Sequence, residues 1–300
     1  ETENIKVVVR IRSNKTSDEK ENFYSINNNV INITDKNSGN VSQQFVFDNI
    51  FKPVDSQEYI YKSIVKDAIE WVGKGYNSTI LAYGATASGK SYTMFGKEGN
   101  KGKEIGIIPR ACESLFMNIN ENEQVVEATM KCSFLEIYRE HIRDLLDNSE
   151  KIEPKIRHNP LKGVYVQGLI EKYVYTPQDI LNTIKEGTIQ RTTASTALNN
   201  TSSRSHAVLT ITVSQKLTDG TEIVSKLNFV DLAGSENVGK SEVQGINLSE
   251  AQNINKSLSC LGNVIYALTE KGREHIPYRD SKLTFLLEDS LGGNSKTILI

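Results

Sequence analysis

Apolar positions along the chain switch repeatedly between a period of two and a period near four. Ile5 to Ile11 (IKVVVRI) is a β-branched run of the buried-strand type, and Val41 to Phe47 reads as a second strand, with Asn27-Asn28-Asn29 as a turn between them. Ile60, Ile64, Ala68 and Val72 then recur at helical spacing, and Gly73 and Gly75 follow where a helix end favours glycine. Thr79 to Tyr83 predicts a strand that runs into a glycine-rich turn, and Val125 to Tyr138 alternates over a long stretch. Thr176-Pro177-Gln178-Asp179 offers a Thr cap, Pro at the first helical position and an acid three residues after the cap, so a helix should start there. Ala207 to Val213 and Ile223 to Val230 flank Asp219-Gly220, a hairpin signal. From Leu248 onward, Ile254, Leu258, Leu261, Ile265 and Leu268 line one stripe of a long helix. A shorter helix from about Ser281 should stop at Gly292-Gly293, and Thr297 to Ile300 predicts a last strand.

Alternating helices and strands define an α/β class: a large central, mostly parallel β-sheet flanked by helices on both faces. No repeat or linker divides the 300 residues, so one domain over 1–300 is expected. The chain is 38% hydrophobic and 24% charged, and no apolar run approaches the roughly 20 residues of a membrane-spanning helix. That reads as soluble, without membrane insertion, and the polar N-terminus shows no signal-peptide pattern. Cys112, Cys132 and Cys260 are widely spaced and odd in number, which fits buried thiols in a reducing cytosol better than disulfides or a zinc site. A net charge of −2 supplies no global field for DNA or any other acidic polymer, so such a partner must be met by a local patch.

The candidate chemistry starts at Gly84-Ala85-Thr86-Ala87-Ser88-Gly89-Lys90-Ser91, which fits G-x-x-x-x-G-K-[ST] and follows a predicted strand. Glycines without Cβ atoms let successive N–H groups converge on phosphate oxygens. Lys90 brings charge to the β/γ end, and the Ser91 hydroxyl can ligate Mg²⁺. A P-loop alone does not separate kinase, GTPase, ATPase and motor. A guanine-specific protein should show Asn-Lys-x-Asp, whereas Asn255-Lys256-Ser257-Leu258 has Leu in place of the base-reading acid, so ATP is favoured over GTP. Asn199-Asn200-Thr201-Ser202-Ser203-Arg204-Ser205-His206 gathers hydroxyls, an amide and a cation before a strand, a ligand supply for metal, γ-phosphate and water. Asp231-Leu232-Ala233-Gly234-Ser235-Glu236 puts Asp231 at a strand end, where a Walker-B acid holds metal-bound water, and Gly234 where a backbone N–H can approach phosphate.

N-x-x-S-S-R-S-H and D-L-A-G-S-E resemble the switch I and switch II signatures of kinesins, and the resemblance runs from Ile5 to the chain end. Supporting segments are Tyr92-Thr93-Met94, Ile108-Pro109-Arg110, Phe134-Leu135-Glu136-Ile137-Tyr138, Ile254-Asn255-Lys256-Ser257-Leu258, Leu261-Gly262-Asn263, Pro277 to Thr284 and Asp289 to Asn294. It implies a P-loop NTPase fold of the kinesin/myosin kind, working as a microtubule-stimulated ATPase motor with Mg·ATP. Ser91 and Ser203 would bind Mg²⁺, with Asp231 behind them. Ser202 and the Gly234 backbone would hold the lytic water and γ-phosphate, and Arg204 would pair with Glu236 when ATP closes the site. Arg10, Tyr92 and Asn199 would border the nucleotide. Lys240, Lys256, Tyr278, Arg279 and Lys282 would face the microtubule. The resemblance also implies cytoplasmic, microtubule-associated localisation, the spindle included, and dimerisation through segments outside this chain. Asn263, where minus-end motors often carry Asp, favours an N-terminal, plus-end motor.

Some positions depart from the family pattern. Ser13 replaces the proline of R-x-R-P, leaving the base to Tyr92 and the Arg10 stem; Ala85 replaces Gln and Ser91 replaces Thr. Asn237, Gln252 and Phe285 stand where basic residues are common, and Glu236 to Ile300 carries seven basic against eight acidic residues. A nucleotide-binding module that tethers microtubules with little turnover is therefore the alternative, and another P-loop NTPase such as a phosphotransferase is a third. Kinesin motors continue past this last strand through a helix to a neck linker, so the chain is expected to stop short of both.

Overall fold

The computed structural model describes residues 5–12, 24–35, 40–97, 102–147, 149, 153–160, 163–197, 204–236 and 246–300, with the backbone alone in 194–197 and 246–255. β1 (Ile5–Arg10) leads to a small antiparallel sheet of β2 (Tyr24–Asn27), β3 (Val30–Thr34) and β4 (Val41–Val46). Asn28 makes the turn at φ 52°, a left-handed backbone that asparagine tolerates better than most residues. β4 is the strand expected at Val41, but all its residues are exposed because it stands in this separate sheet. β5 (Asn49–Phe51) is followed by α1 (Gln57–Ile60), a π-helical turn at Tyr61–Val65 and α2 (Lys66–Gly73). The predicted stripe Ile60, Ile64, Ala68 and Val72 is buried, and Gly75 at φ 92° allows the chain to leave the helix.

β6 (Asn77–Ala82), α3 (Lys90–Phe95) and α4 (Ile107–Asn120) precede β7 (Val125–Tyr138), whose bounds are those of the alternating run. β8 (His141–Asp144), the hairpin of β9 (Lys155–Asn159) and β10 (Gly163–Gln167), and β11 (Lys172–Val174) come next. α5 (Pro177–Ala197) begins on the expected cap. The Asp179 N–H donates to Thr176 Oγ1 at 3.2 Å, and Asp179 Oδ2 accepts from the Thr176 N–H at 2.9 Å. β12 (His206–Leu217) and β13 (Glu222–Asp231) form the hairpin over Asp219-Gly220, and α6 (Ile246–Thr269) is the long helix. Instead of one helix after Ser281 there are two, α7 (Lys282–Leu286) and α8 (Glu288–Gly292), broken where Leu287 leaves helical geometry at ψ 8°. β14 (Ser295–Leu299) ends the fold.

The main sheet runs β11-β7-β12-β13-β6-β14-β1-β5, with β8 also on β7. β5, β1, β14, β6 and β13 are parallel neighbours, while β12, β11 and β8 oppose β13 and β7. Period-two alternation divides the core. Ile80, Phe134, Leu209, Ile211 and Phe229 pack with α2, α4 and α5 on one face. Leu81, Leu135, Val208 and Val230 pack with Leu261 and Val264 of α6, Leu283 of α7 and Leu291 of α8 on the other. Each fully buried side chain of this size contributes about 1.5–3 kcal/mol. β6 and β13 are parallel neighbours, yet α3 after β6 lies on the first face and α6 after β13 on the second. Their paths diverge at the carboxyl ends, opening the crevice where ligands bind in such sheets. Cys112, Cys132 and Cys260 are free and buried, and burial pushes the Cys132 thiol up to about 12. Among the described residues no helix is long and apolar enough to cross a membrane.

Candidate functional site

The glycine-rich turn leaves the carboxyl end of β6 and enters α3. Gly89, with φ 112°, is the residue before the helix, and Ala87 adopts φ 62°. Gly84, Ala85, Thr86, Ala87, Ser88 and Gly89 thus form a tight turn with left-handed residues, the kind of backbone in which successive amides can converge on an anion. Lys90 Nζ folds back to donate to the carbonyls of Gly84 at 2.8 Å and Ala85 at 3.0 Å. Burial lowers the Lys90 pKa, an effect that Asp231 and Glu236 oppose. The Arg12 guanidinium donates to the Ala87 carbonyl, fixing the turn from the end of β1.

β13 carries Asp231 beside the turn. The Ser91 hydroxyl donates to Asp231 Oδ2 at 2.9 Å, while the buried Asp231 Oδ1 has no hydrogen-bond partner. Burial raises the Asp231 pKa, against the pull of Arg191, Ser91 and Lys90. An unpartnered, buried carboxylate oxygen next to a hydroxyl is a donor set suited to a hydrated divalent cation. After β13 the chain closes on the turn: the Ser235 N–H donates to the Gly84 carbonyl at 3.1 Å, and Glu236 accepts from the Thr86 N–H at 2.7 Å and from the Thr86 hydroxyl. Burial works to raise the Glu236 pKa, but the Thr86 bonds prevail and hold it below the ordinary carboxylate value. A Cβ on Gly234 would come within 3.0 Å of the Thr86 hydroxyl and the Glu236 carboxylate, so any larger residue there must displace these side-chain ends.

At the edge of the turn, the Arg10 guanidinium lies 5.0 Å from the centre of the Tyr92 ring and donates to Gln57 at 2.7 Å and Thr93 at 2.9 Å. Tyr92 is 38% exposed, leaving ring surface available for stacking. Arg10 and Tyr92 are thus neighbours, in contact through the guanidinium. Arg204 is half-buried just ahead of β12. Asn199, Ser202 and Ser203 lie outside the described residues, as do Ser13, Asn237 and Lys240.

Beneath this site is a buried polar layer built around Arg191. Arg191 of α5 reaches Glu136 of β7 at 3.2 Å, the Ser205 carbonyl at 3.1 Å, the Ser205 hydroxyl at 3.2 Å and Asp231 at 3.9 Å. Ser205 in turn donates to Glu136. His206 is buried between the segments on either side of the crevice, with Nδ1 accepting from the Ala233 N–H at 3.0 Å and Nε2 2.8 Å from Ser257 Oγ of α6. A lone acid at an inward position of an alternating strand was the available signal for Glu136. Nothing local marks Arg191, whose partners are distant in sequence.

On the α6–α7 side, Lys256, Arg279 and Lys282 are exposed and Tyr278 is half-buried. The Lys282 N–H donates to Glu140 at 2.7 Å. Arg279 sits 5.2 Å from the centre of the Phe285 ring, and Phe285 packs against the second core cluster. Phe285 thus seats a cation here instead of supplying one.

The fold and this site define a P-loop nucleotide-binding protein of the α/β class. A sequence profile of the kinesin motor domain matches residues 8–300, so the chain belongs to the kinesin motor domain family. It is 46% identical over 303 residues to kinesin-related protein 5 of Dictyostelium discoideum and 44% identical over 299 residues to kinesin heavy chain of Drosophila melanogaster. Each alignment covers 99% of this chain and 30% of the relative, so the chain spans under a third of these proteins. A solved structure of a fast kinesin superposes with a TM-score of 0.90 at 40% identity, covering 99% of this chain and 84% of that one.

Proposed function

We propose that residues 1–300 form a single motor domain that binds and hydrolyses Mg·ATP in a cycle coupled to gripping and releasing a microtubule. The observation that carries this reading is the convergence of Lys90, the Ser91–Asp231 pair and Glu236 in the crevice from whose far side α6 leaves for the surface that exposes Lys256, Arg279 and Lys282. The turn amides and Lys90 hold the β/γ-phosphates. Ser91 and Ser203 would ligate Mg²⁺, and Asp231 would hold its water through the oxygen that has no protein partner. When bound, that ion neutralises charge on the phosphates. Ser202 and the Gly234 N–H orient a water toward the γ-phosphorus. As the new oxygen–phosphorus bond forms and ADP leaves, the water's proton passes toward a Glu236–Arg204 pair. In this structure Thr86 donates to both oxygens of the Glu236 carboxylate, contacts that compete with the Arg204 pairing. Asn199, Arg10 and Tyr92 border the base and sugar.

Lys240, Lys256, Tyr278, Arg279 and Lys282 would meet the acidic lattice. A cytoplasmic, microtubule-bound location with the spindle included, dimerisation through other segments and no direct contact with nucleic acid belong to the same proposal. Glu236→Ala tests the site: nucleotide affinity should stay within about threefold while hydrolysis falls by about 100-fold or more, the usual scale for losing a proton-transfer group. Wild-type turnover in this variant would remove Glu236 from the mechanism. Turnover near zero in the unmutated domain would favour a tether.

A further inference from the structure

Residues 237–245, the covalent link between the phosphate-sensing segment and α6, lie outside the described residues, yet a second connection between the two is present. Ala233 immediately precedes Gly234, and its N–H donates to His206 Nδ1 at 3.0 Å; the opposite edge of the same ring lies 2.8 Å from Ser257 Oγ on α6. Both His206 and Ser257 are buried, at 2% and 3% exposure. A backbone N–H can only donate, so Nδ1 is the acceptor, and the neutral ring carries its proton on Nε2 and donates to Ser257. The ring also heads β12, directly after Arg204 and Ser205. One side chain thus joins both sensing segments to the helix that carries Lys256.

We propose that His206 is a positioning residue that couples the backbone at Ala233 to α6 through Ser257, so that displacement of the Gly234 segment by nucleotide is transmitted to the helix without passing along residues 237–245. The proposal rests on the motor reading only for its microtubule consequences. Both bonds join the ring to elements outside the P-loop, so the link carries position rather than chemistry. Burial, with Arg191 and Lys90 adding to it, lowers the His206 pKa to about 3, keeping the ring neutral near pH 7. A buried bond of this type has two discrete states, made or broken, as coupling requires.

Ser257→Ala removes the acceptor on α6. His206→Asn keeps an oxygen near the Nδ1 position for Ala233 but cannot reach Ser257, and Ser257→Thr restores the hydroxyl. The primary readout is hydrogen exchange of the α6 amides from Lys256 to Thr269 in an ATP analogue against ADP, without microtubules. Wild type should show a protection difference of about fivefold or more; S257A and H206N should each reduce it below about twofold, S257T should recover it, and S257A/H206N should match either single variant. S257A should bind nucleotide as wild type does, yet the ratio of its microtubule affinities in the two nucleotide states should fall about fivefold or more. A wild-type protection difference in S257A, additive losses in the double variant, or no nucleotide-dependent protection in wild type would each overturn the link. If α6 protection responds as expected while the domain ignores microtubules, the link stands and the motor reading fails.

Discussion

Replacing Arg191 by Met, of similar length but uncharged, should expose the energetics of the buried layer beneath the site. The side chains of Arg191, Glu136 and Asp231 are only 11%, 6% and 8% exposed, so water cannot repair the loss. Arg191→Met removes the 3.2 Å contact with Glu136, two donations to Ser205 and the cation 3.9 Å from Asp231. Breaking a buried pair from one side costs about 3–5 kcal/mol, because the remaining charge stays buried without compensation. Against a global stability of about 5–15 kcal/mol, the variant should fold but with a much lower urea midpoint. Glu136→Gln, which removes the acid and keeps its volume, should rescue part of the loss. The double variant should then be more stable than additivity predicts by at least about 1.5 kcal/mol. Urea unfolding of the four proteins gives the complete cycle. A cost below about 1 kcal/mol for R191M, or strict additivity, would show that the pair is solvated and the layer is not a buried network.

Three further outcomes follow from named contacts. Lys90→Ala should weaken ATP binding by at least about 100-fold, since two charge-assisted bonds to phosphate are worth about 3 kcal/mol or more, and undiminished affinity by titration would defeat the P-loop assignment. Gly187→Ala sets helix propensity against packing: alanine gains up to about 1 kcal/mol in a helix, but its Cβ would lie within 3.0 Å of the Phe134 ring, and overpacking costs about 1–3 kcal/mol. A net loss of stability is expected, and a raised Tm would show that α5 can step back from β7. For pH, His206 is held at about 3 when folded against 6.5 when unfolded, so between these values the unfolded state binds more protons and stability is lost as the pH is lowered. Lowering the pH from 7 to 5 should erode the stability advantage of wild type over H206N by about 2 kcal/mol; a constant gap in their urea midpoints would mean that the ring already titrates in the folded protein.

What the sequence revealed depended on whether a signal was local. The capping box at Thr176, the alternation of Val125 to Tyr138 and the G-x-x-x-x-G-K-S turn each write their structure within a few residues, and each lies where it was expected. α7 and α8 were merged because a break at Leu287 has no glycine or proline to announce it. β9 went unrecognised because it is short and polar, β10 because five residues are too few to show a period, and nothing local in β4 tells that it stands in a separate, exposed sheet. At the site, Lys90, Ser91, Asp231 and Glu236 were legible as motif positions, but the Thr86 hold on Glu236 spans 150 residues and no spacing encodes it. Arg191 is hidden for the same reason, and Glu136 and Ser257 stand in legible motifs whose distant partners no spacing encodes. Phe285 was read as a missing cation, whereas its ring carries Arg279.

The central claim is that nucleotide and microtubule are linked through the Asp231-to-Glu236 segment and α6. By linkage, a microtubule that prefers one state of that segment must change nucleotide turnover, and nucleotide must change microtubule affinity. The direct measurement is steady-state phosphate release with and without microtubules, alongside cosedimentation in an ATP analogue, in ADP and without nucleotide. Stimulation of at least about tenfold, equivalent to about 1.4 kcal/mol off the limiting barrier, together with affinities that differ among the three states, is the result expected. Equal affinity in all three states with no stimulation would contradict it.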